Sequence, residues 1–426
     1  MACQTENTKC RHRKQFLWLI LILIFFFGLR ASSVLPLEPL DGVRSLADGK
    51  RFDYVVWTLK ALFNKAVSAS LGVEKFLSDE QQATIVKAYF DQVGVVEEKE
   101  RALEDVLYHS SFDESQFQLA NEDLNEARTW LKKLAPLAEA IIQNQTERIL
   151  LDMGFGYGGQ IIPPVLYEVT DLPLNLIVSA RDEIGTVISI SLKPGIDEIE
   201  KNEIENDALN RYDYSALIEE VGGVGTYPTM VLRSNSINWL FETVAHEWIH
   251  NYLTLRPLGV RYFTNNAMRT INETTASLAG KEIGRAVIKI FYPEHIVIGT
   301  CPKRELYWVI SEEEQNSKGF NYRAEMRETR VTVDELLAQG QILMAERYME
   351  QRRLVFWDEG FRIHKLNQAY FAFYGSYNDT PGGGASGKDP VGPAVRALRY
   401  SLPHLKAFID TIQDVRSLDD LMKIAP

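Results

Sequence analysis

With 426 residues, 46% of them hydrophobic and 24% charged, the chain has ample material for a hydrophobic core, enough for two or three domains or one large enzyme with helical additions. Its 46 Lys and Arg against 58 Asp and Glu give a formal net charge of -12 at pH 7, which argues against nucleic acid as a partner. The three cysteines exclude a disulfide framework, because Cys3 and Cys10 belong to the N-terminal segment and leave Cys301 alone.

Residues 1–33 read as a targeting segment. Lys9, Arg11, Arg13 and Lys14 form a basic cluster, Phe16 to Leu29 follows without a charge, and Arg30 closes the run. The charge asymmetry puts the N-terminus in the cytoplasm and the rest outside, as a single-pass signal anchor, or as a secreted protein if cleavage occurs near Ala31-Ser32-Ser33. Residues 34–50, with Pro36, Pro39, Gly42 and Gly49, read as a linker.

A helical region is expected over 51–150. Ser78-Asp79-Glu80-Gln81 is a capping box opening a helix through Val93, and Glu122 to Leu151 carries apolar residues at helical spacing. The period then changes. Gln160 to Val169, Leu174 to Ala180 and Thr186 to Leu192 read as strands, the last two as a hairpin, and Thr226 to Arg233 as a fourth. Either 226–233 or 186–192 is a candidate edge for holding an extended peptide. Ser234-Asn235-Ser236 supplies an N-cap for the next helix.

That helix carries Thr243-Val244-Ala245-His246-Glu247-Trp248-Ile249-His250-Asn251-Tyr252. Positions i and i+4 share a helix face, so His246 and His250 can offer two imidazoles to one metal ion, with Glu247 beside them. A catalytic zinc takes three protein ligands and keeps one position open. Glu273, 23 residues after His250, is the candidate third, in the segment Asn272-Glu273-Thr274-Thr275-Ala276-Ser277-Leu278-Ala279, whose small and apolar residues suit a second helix packed on the first. Apart from His246, Glu247 and His250, residues 243–252 are uncharged, so the helix is expected in the interior, where such groups are costly unless a metal or ion pairs satisfy them. The competing reading is an inert core helix whose histidines are satisfied by hydrogen bonds. Glu282 is an alternative third ligand, with an exposed ion pair as its rival role. Glu242, one turn before His246, suits either a hydrogen bond behind the histidine or a solvated flank.

His-Glu-Trp-Ile-His with a downstream Asn-Glu-x-x-Ala resembles the gluzincins, the zinc metallopeptidases that include thermolysin-like enzymes and the membrane alanyl aminopeptidases. The resemblance covers about 35 residues, roughly 243 to 279. It implies Zn²⁺ held by His246, His250 and Glu273, with Glu247 as general base. It also implies an α+β fold, mostly helical, with a small sheet packed on the two-helix zinc site. Two departures stand out: the interval to the third ligand is a few residues longer than in the best known members, and Ser277 replaces the aspartate that orients a zinc histidine in thermolysin-like enzymes. A metzincin is excluded, since Leu253 and Arg256 stand where glycine and a third histidine would be needed.

Helices are expected over Ala267–Tyr292 and Val331–Phe356, and through the rest of the C-terminal region, 301–426. Tyrosine or histidine stabilises the oxyanion in the resembled families, which makes Tyr374, Tyr377 and His364 candidates. Gly382-Gly383-Gly384-Ala385-Ser386-Gly387-Lys388 imitates a phosphate-binding loop, but Asp389 replaces the magnesium-binding hydroxyl and Pro390 and Pro393 break the following helix. No nucleotide is expected, and 377–393 reads as a mobile loop or a lid.

The expectation is a membrane-anchored, extracytoplasmic zinc metallopeptidase, its catalytic region at 151–300, acting on a peptide or protein substrate. Two rivals stay open: a zinc hydrolase of another bond, and a non-catalytic helical scaffold or binding protein with a structural metal or none.

Overall fold

The computed structural model describes residues 38–69, 72–108, 114–296, 320–377 and 384–426. The targeting segment, Cys301 and residues 378–383 of the expected loop lie outside the described residues. Among those described, no helix is long and apolar enough to cross a membrane.

The described residues fall into two units that divide between Leu46 and Ala47. The described part of the first is helix α1, Pro39–Ser45, within the stretch expected as linker. Pro39 starts it well, because proline's fixed φ suits a first helical turn that needs no N–H donor.

In the second unit, α2 (Tyr54–Ala69) precedes two long helices, α3 (Asp79–Tyr108) and α4 (Glu114–Asp152). The capping box opens α3 reciprocally: the Gln81 N–H donates to Ser78 Oγ at 3.3 Å, and the Ser78 N–H to Gln81 Oε1 at 2.9 Å. α3 and α4 run antiparallel, with Asp79 paired to Arg148 at one end and Lys99 to Asp123 at the other.

Short strands follow. β1 (Gly156–Tyr157) and β2 (Gln160–Ile161) form a hairpin, and β3 is Tyr167–Val169. Pro163 and Pro164, which have no N–H for a ladder, divide the expected single strand. β4 (Leu174–Ser179) and β5 (Ile188–Leu192) form the expected antiparallel hairpin, with Leu174 opposite Leu192. Helix α5 (Glu198–Tyr212) then leads to β6 (Ser215–Glu219), which pairs on the other side of β4. The two remaining strands, β7 (Gly223–Val224) and β8 (Thr229–Val231), complete a sheet of order β3-β8-β7. β8 is therefore the centre of its sheet, and the expectation that 226–233 could serve as an edge is corrected by its pairing with both neighbours.

α6 (Ile237–Leu253) starts at Ser236, whose Oγ accepts the Trp239 N–H at 3.3 Å. A one-turn helix, α7 (Pro257–Val260), separates it from α8 (Asn266–Phe291), which matches the expected 267–292. The helix expected over Val331–Phe356 is instead two, α9 (Tyr322–Ala338) and α10 (Ile342–Asp358). Gly340, at φ 70°, makes the break in a backbone conformation that favours glycine. α11 (Gln368–Tyr374), α12 (Val391–Ser401), α13 (Leu405–Ile412) and α14 (Leu418–Ile424) finish the chain.

The described molecule is mostly helical with small sheets. One hydrophobic cluster joins α3, α4, α6, α8 and α12 to α14, including Ile142, Phe241, Trp248, Ile283 and Phe408. A second joins β4 and β6, through Ile177 and Leu217, to α9, α10 and α11. The metal-type residues sit on the pair α6 and α8 inside the first.

Candidate metal centre

Small residues let α6 and α8 approach closely. A Cβ on Gly280 would lie 2.7 Å from the Glu242 carbonyl oxygen and 2.9 Å from His246 Cβ, and one on Gly284 would lie 2.8 Å from Glu242 Cγ. About two turns of α8 before Gly280, on the N-terminal side, Glu273 faces the histidines. The longer loop implied by the spacing is accounted for by α7 and the turn after it, which carry the chain back to Asn265, the N-cap of α8.

His246, His250 and Glu273 converge. Their Nε2, Nε2 and Oε2 atoms are separated by 3.0 Å between the histidines and 3.4 Å from each histidine to the carboxylate. Glu273 is buried, its Oε1 accepts a hydrogen bond from the Tyr262 hydroxyl, and its Oε2 is a buried acceptor with no hydrogen-bond partner. Burial alone would raise the Glu273 carboxyl, but His250 and His246 hold it well below the usual carboxylate range. Burial pulls His250 down while Glu273 pushes it up, and the net is a rise to about 9.

The far ring nitrogens are held as well. His250 Nδ1 is 2.8 Å from Asn272 Oδ1, an acceptor, so Nδ1 carries the hydrogen and Nε2 faces Glu273. His246 Nδ1 is 3.4 Å from Ser277 Oγ, the hydroxyl expected there in place of a carboxylate. The two orienting contacts thus come from α8, one residue before Glu273 and four after it.

Glu247 is buried beside the group, with Oε1 4.0 Å from His246 Nε2. Burial raises its carboxyl, and Glu273 adds to the rise while the histidines oppose it. Strand β7 covers it: a Cβ on Gly223 would lie 2.6 Å from Glu247 Oε1, and one on Gly225 would lie 3.2 Å from His250 Cβ. Asn251 fastens this turn to α6 by donating to the Thr226 carbonyl at 3.1 Å and to Thr229 Oγ1 at 3.0 Å. Arg269, one turn before Glu273, donates to Thr186 Oγ1 at 3.1 Å and lies 5.9 Å from the Tyr262 ring centre. Its charge is felt by the buried Glu273 carboxylate.

The remaining candidates separate. The Tyr377 ring is 6.4 Å from that of His246 and 38% exposed, a rim position. Tyr374 donates its hydroxyl to Glu219 at 2.6 Å, and His364 lies 3.1 Å from Glu205. Glu282 pairs through both oxygens with Arg399, at 2.8 and 3.0 Å. In the glycine-rich run, Lys388 pairs with Glu335, and Arg330 donates to the Ala385 carbonyl at 2.9 Å.

Asn272, Tyr262, Arg269 and the glycines in and beside β7 did not emerge from sequence. Asn272 had a usable signal, since the residue before a ligand glutamate on a helix lies about 100° around it and can face the neighbouring helix. Gly222-Gly223-Val224-Gly225 had a weaker one, because glycine in a strand marks a close backbone approach. No family model, curated protein or solved structure matches this chain.

Proposed function

We propose that this chain is a zinc-dependent hydrolase of peptide bonds, built on the plan of the thermolysin-like peptidases that its motif resembles, with His246, His250 and Glu273 holding the metal. The observation that carries the reading is the spacing of the three donor atoms. Zinc–ligand bonds of about 2.0–2.1 Å at tetrahedral angles put ligand atoms about 3.3 Å apart. The donor atoms here are 3.0, 3.4 and 3.4 Å apart, and the orphaned Glu273 Oε2 is one of them. When bound, zinc supplies Lewis acidity that polarises a carbonyl and makes water nucleophilic near neutral pH.

The protein's own groups do the rest. Glu247 accepts the proton of the attacking water and delivers it to the leaving amine; the raised affinity of its buried carboxyl for a proton suits both steps. Tyr377 is the rim residue whose hydroxyl donates to the oxyanion, and Tyr374 is left a structural partner of Glu219. β7, at the end of its sheet and against Glu247, offers main-chain groups to an extended peptide. The basic cluster and apolar run of residues 9–29 anchor the protein in a membrane, with the catalytic part outside.

Metal analysis of the purified chain with a peptide panel tests this. About one zinc per chain is expected, retained in Glu247→Gln while hydrolysis falls about 10²- to 10⁴-fold. Undiminished hydrolysis in that variant would remove Glu247 as the base. Retained zinc with no peptide cleaved, or with turnover only on another class of bond, would overturn the peptidase reading.

A further inference from the structure

Helix α2 is mounted in reverse for a helix in water. Trp57, Ala61 and Lys65, at i, i+4 and i+8, face inward: Trp57 Nε1 donates to Thr170 Oγ1 at 3.4 Å, Ala61 is buried, and Lys65 pairs with the buried Glu139 of α4. The Lys65 ammonium also lies 5.3 Å from the Tyr167 ring centre. The opposite face carries Val55 and Val56, each 64% exposed, with Leu59 at 65%, Leu62 at 40% and Phe63 at 70%. Surface helices ordinarily bury the apolar stripe and leave lysine in solvent.

The inward contacts set the rotation. Glu139 also accepts the Val169 N–H at 3.2 Å, so rolling α2 to hide its apolar face would leave a buried carboxylate without its counter-ion. The turn after α2 exposes more of the same kind, Val73 at 45% and Phe76 at 88%. Five large apolar side chains exposed on one face of a helix mark an interaction surface.

Two observations select a lipid surface as its occupant. α2 contains no carboxylate, and of its two lysines Lys65 is spent inward on Glu139 while Lys60 is exposed, in a chain whose net charge is -12. It also follows the apolar run Phe16–Leu29 by only residues 30–53, a tether of at most roughly 86 Å at 3.3–3.6 Å per residue. We propose that the outward face of α2 lies in the headgroup–acyl boundary of the bilayer, with Lys60 at the headgroups. This rests on the anchor reading given above.

The test uses the full chain with Cys3, Cys10 and Cys301 replaced by serine and a bimane fluorophore on Phe63→Cys, or on Lys132→Cys as control. Both are placed in nanodiscs of phosphatidylcholine and phosphatidylglycerol, with and without nitroxide-labelled lipid. Loss of most of the fluorescence at 63 but not at 132 is the expected result. An unquenched probe at 63 in a chain that co-elutes with the discs overturns the α2 proposal and leaves the anchor standing. A probe shielded from aqueous iodide yet untouched by nitroxide lipid also overturns it, by assigning the face to another segment or a second copy. A chain that does not co-elute with discs overturns the anchor, and the α2 proposal with it.

Discussion

His250 presents Nε2 to Glu273 because its other ring nitrogen is spent on Asn272, 2.8 Å away. An imidazole without such a partner can rotate or change tautomer, and losing an orienting hydrogen bond behind a metal ligand costs about 10- to 100-fold in affinity. Asn272→Ala is therefore expected to weaken zinc binding by about that factor in chelator competition, with Asn272→Asp keeping it. Equal affinity in the alanine variant would mean that the ring is oriented by packing alone. The histidines that could hold a metal were legible because their chemistry is local: two histidines one turn apart share a face wherever the helix goes. Tyr262 was not, since its hydroxyl reaches Glu273 from a turn whose path depends on α7 and the contact between α6 and α8.

That contact is where the sequence spoke most plainly about an element, through the small residues around Glu273. Its tightest points are Gly280 and Gly284, where backbone or Cβ atoms of α6 stand within 2.9 Å of an added Cβ. Gly280→Val is expected to destabilise by about 1–3 kcal/mol or more in urea unfolding, and to lower zinc affinity by spreading the two helices. Gly94→Ala makes the contrast. It lies inside α3 with nothing within 4 Å of an added Cβ, so a gain of about 0.5–1 kcal/mol is expected. Gly94 also shows why boundaries were harder to read: α3 continues past Val93 to Tyr108 because packing on α4 outweighs one weak helix former. The strands suffered most. β6 is buried at four successive positions and so shows no alternation, β7 has only two residues, and α5 is highly charged with few apolar positions to mark a face.

Across the molecule, the sheet that contains β6 and its helix α5 are tied to α10 and the loop after it by ion pairs joining residues more than 100 positions apart. Arg181, just after β4, grips Glu346 of α10 with two bonds of 2.7 Å. Glu205 of α5, buried, accepts the Ile218 N–H at 2.7 Å and faces His364 at 3.1 Å and Lys365 at 2.7 Å. Burial alone would raise Glu205, but His364 and Lys365 bring it below its ordinary value, while Glu205 raises His364 above its own. The glutamate's contribution is present above its unfolded value of about 4.5 and fades as pH falls through the lowered one; the histidine's is complete below about 6.5 and fades as pH rises through the raised one. Both are in force between these limits. Glu205→Gln is expected to lower Tm most in that window and to flatten the profile on either side, as a pH series of thermal scans would show. An unchanged pH profile would place the dependence elsewhere. No sequence pattern announced these links, because long-range pairing has no local period.

Gly223 of β7 and Gly225 just after it carry a last implication. Where main chain lies directly on the Glu247 carboxylate, a guest strand beside it would meet amides and carbonyls that every amino acid shares, and nothing at 223 or 225 that could prefer one residue to another. Under the peptidase reading, the cutting edge is blind to letters, and any taste for particular sequences has to be exercised farther along the groove.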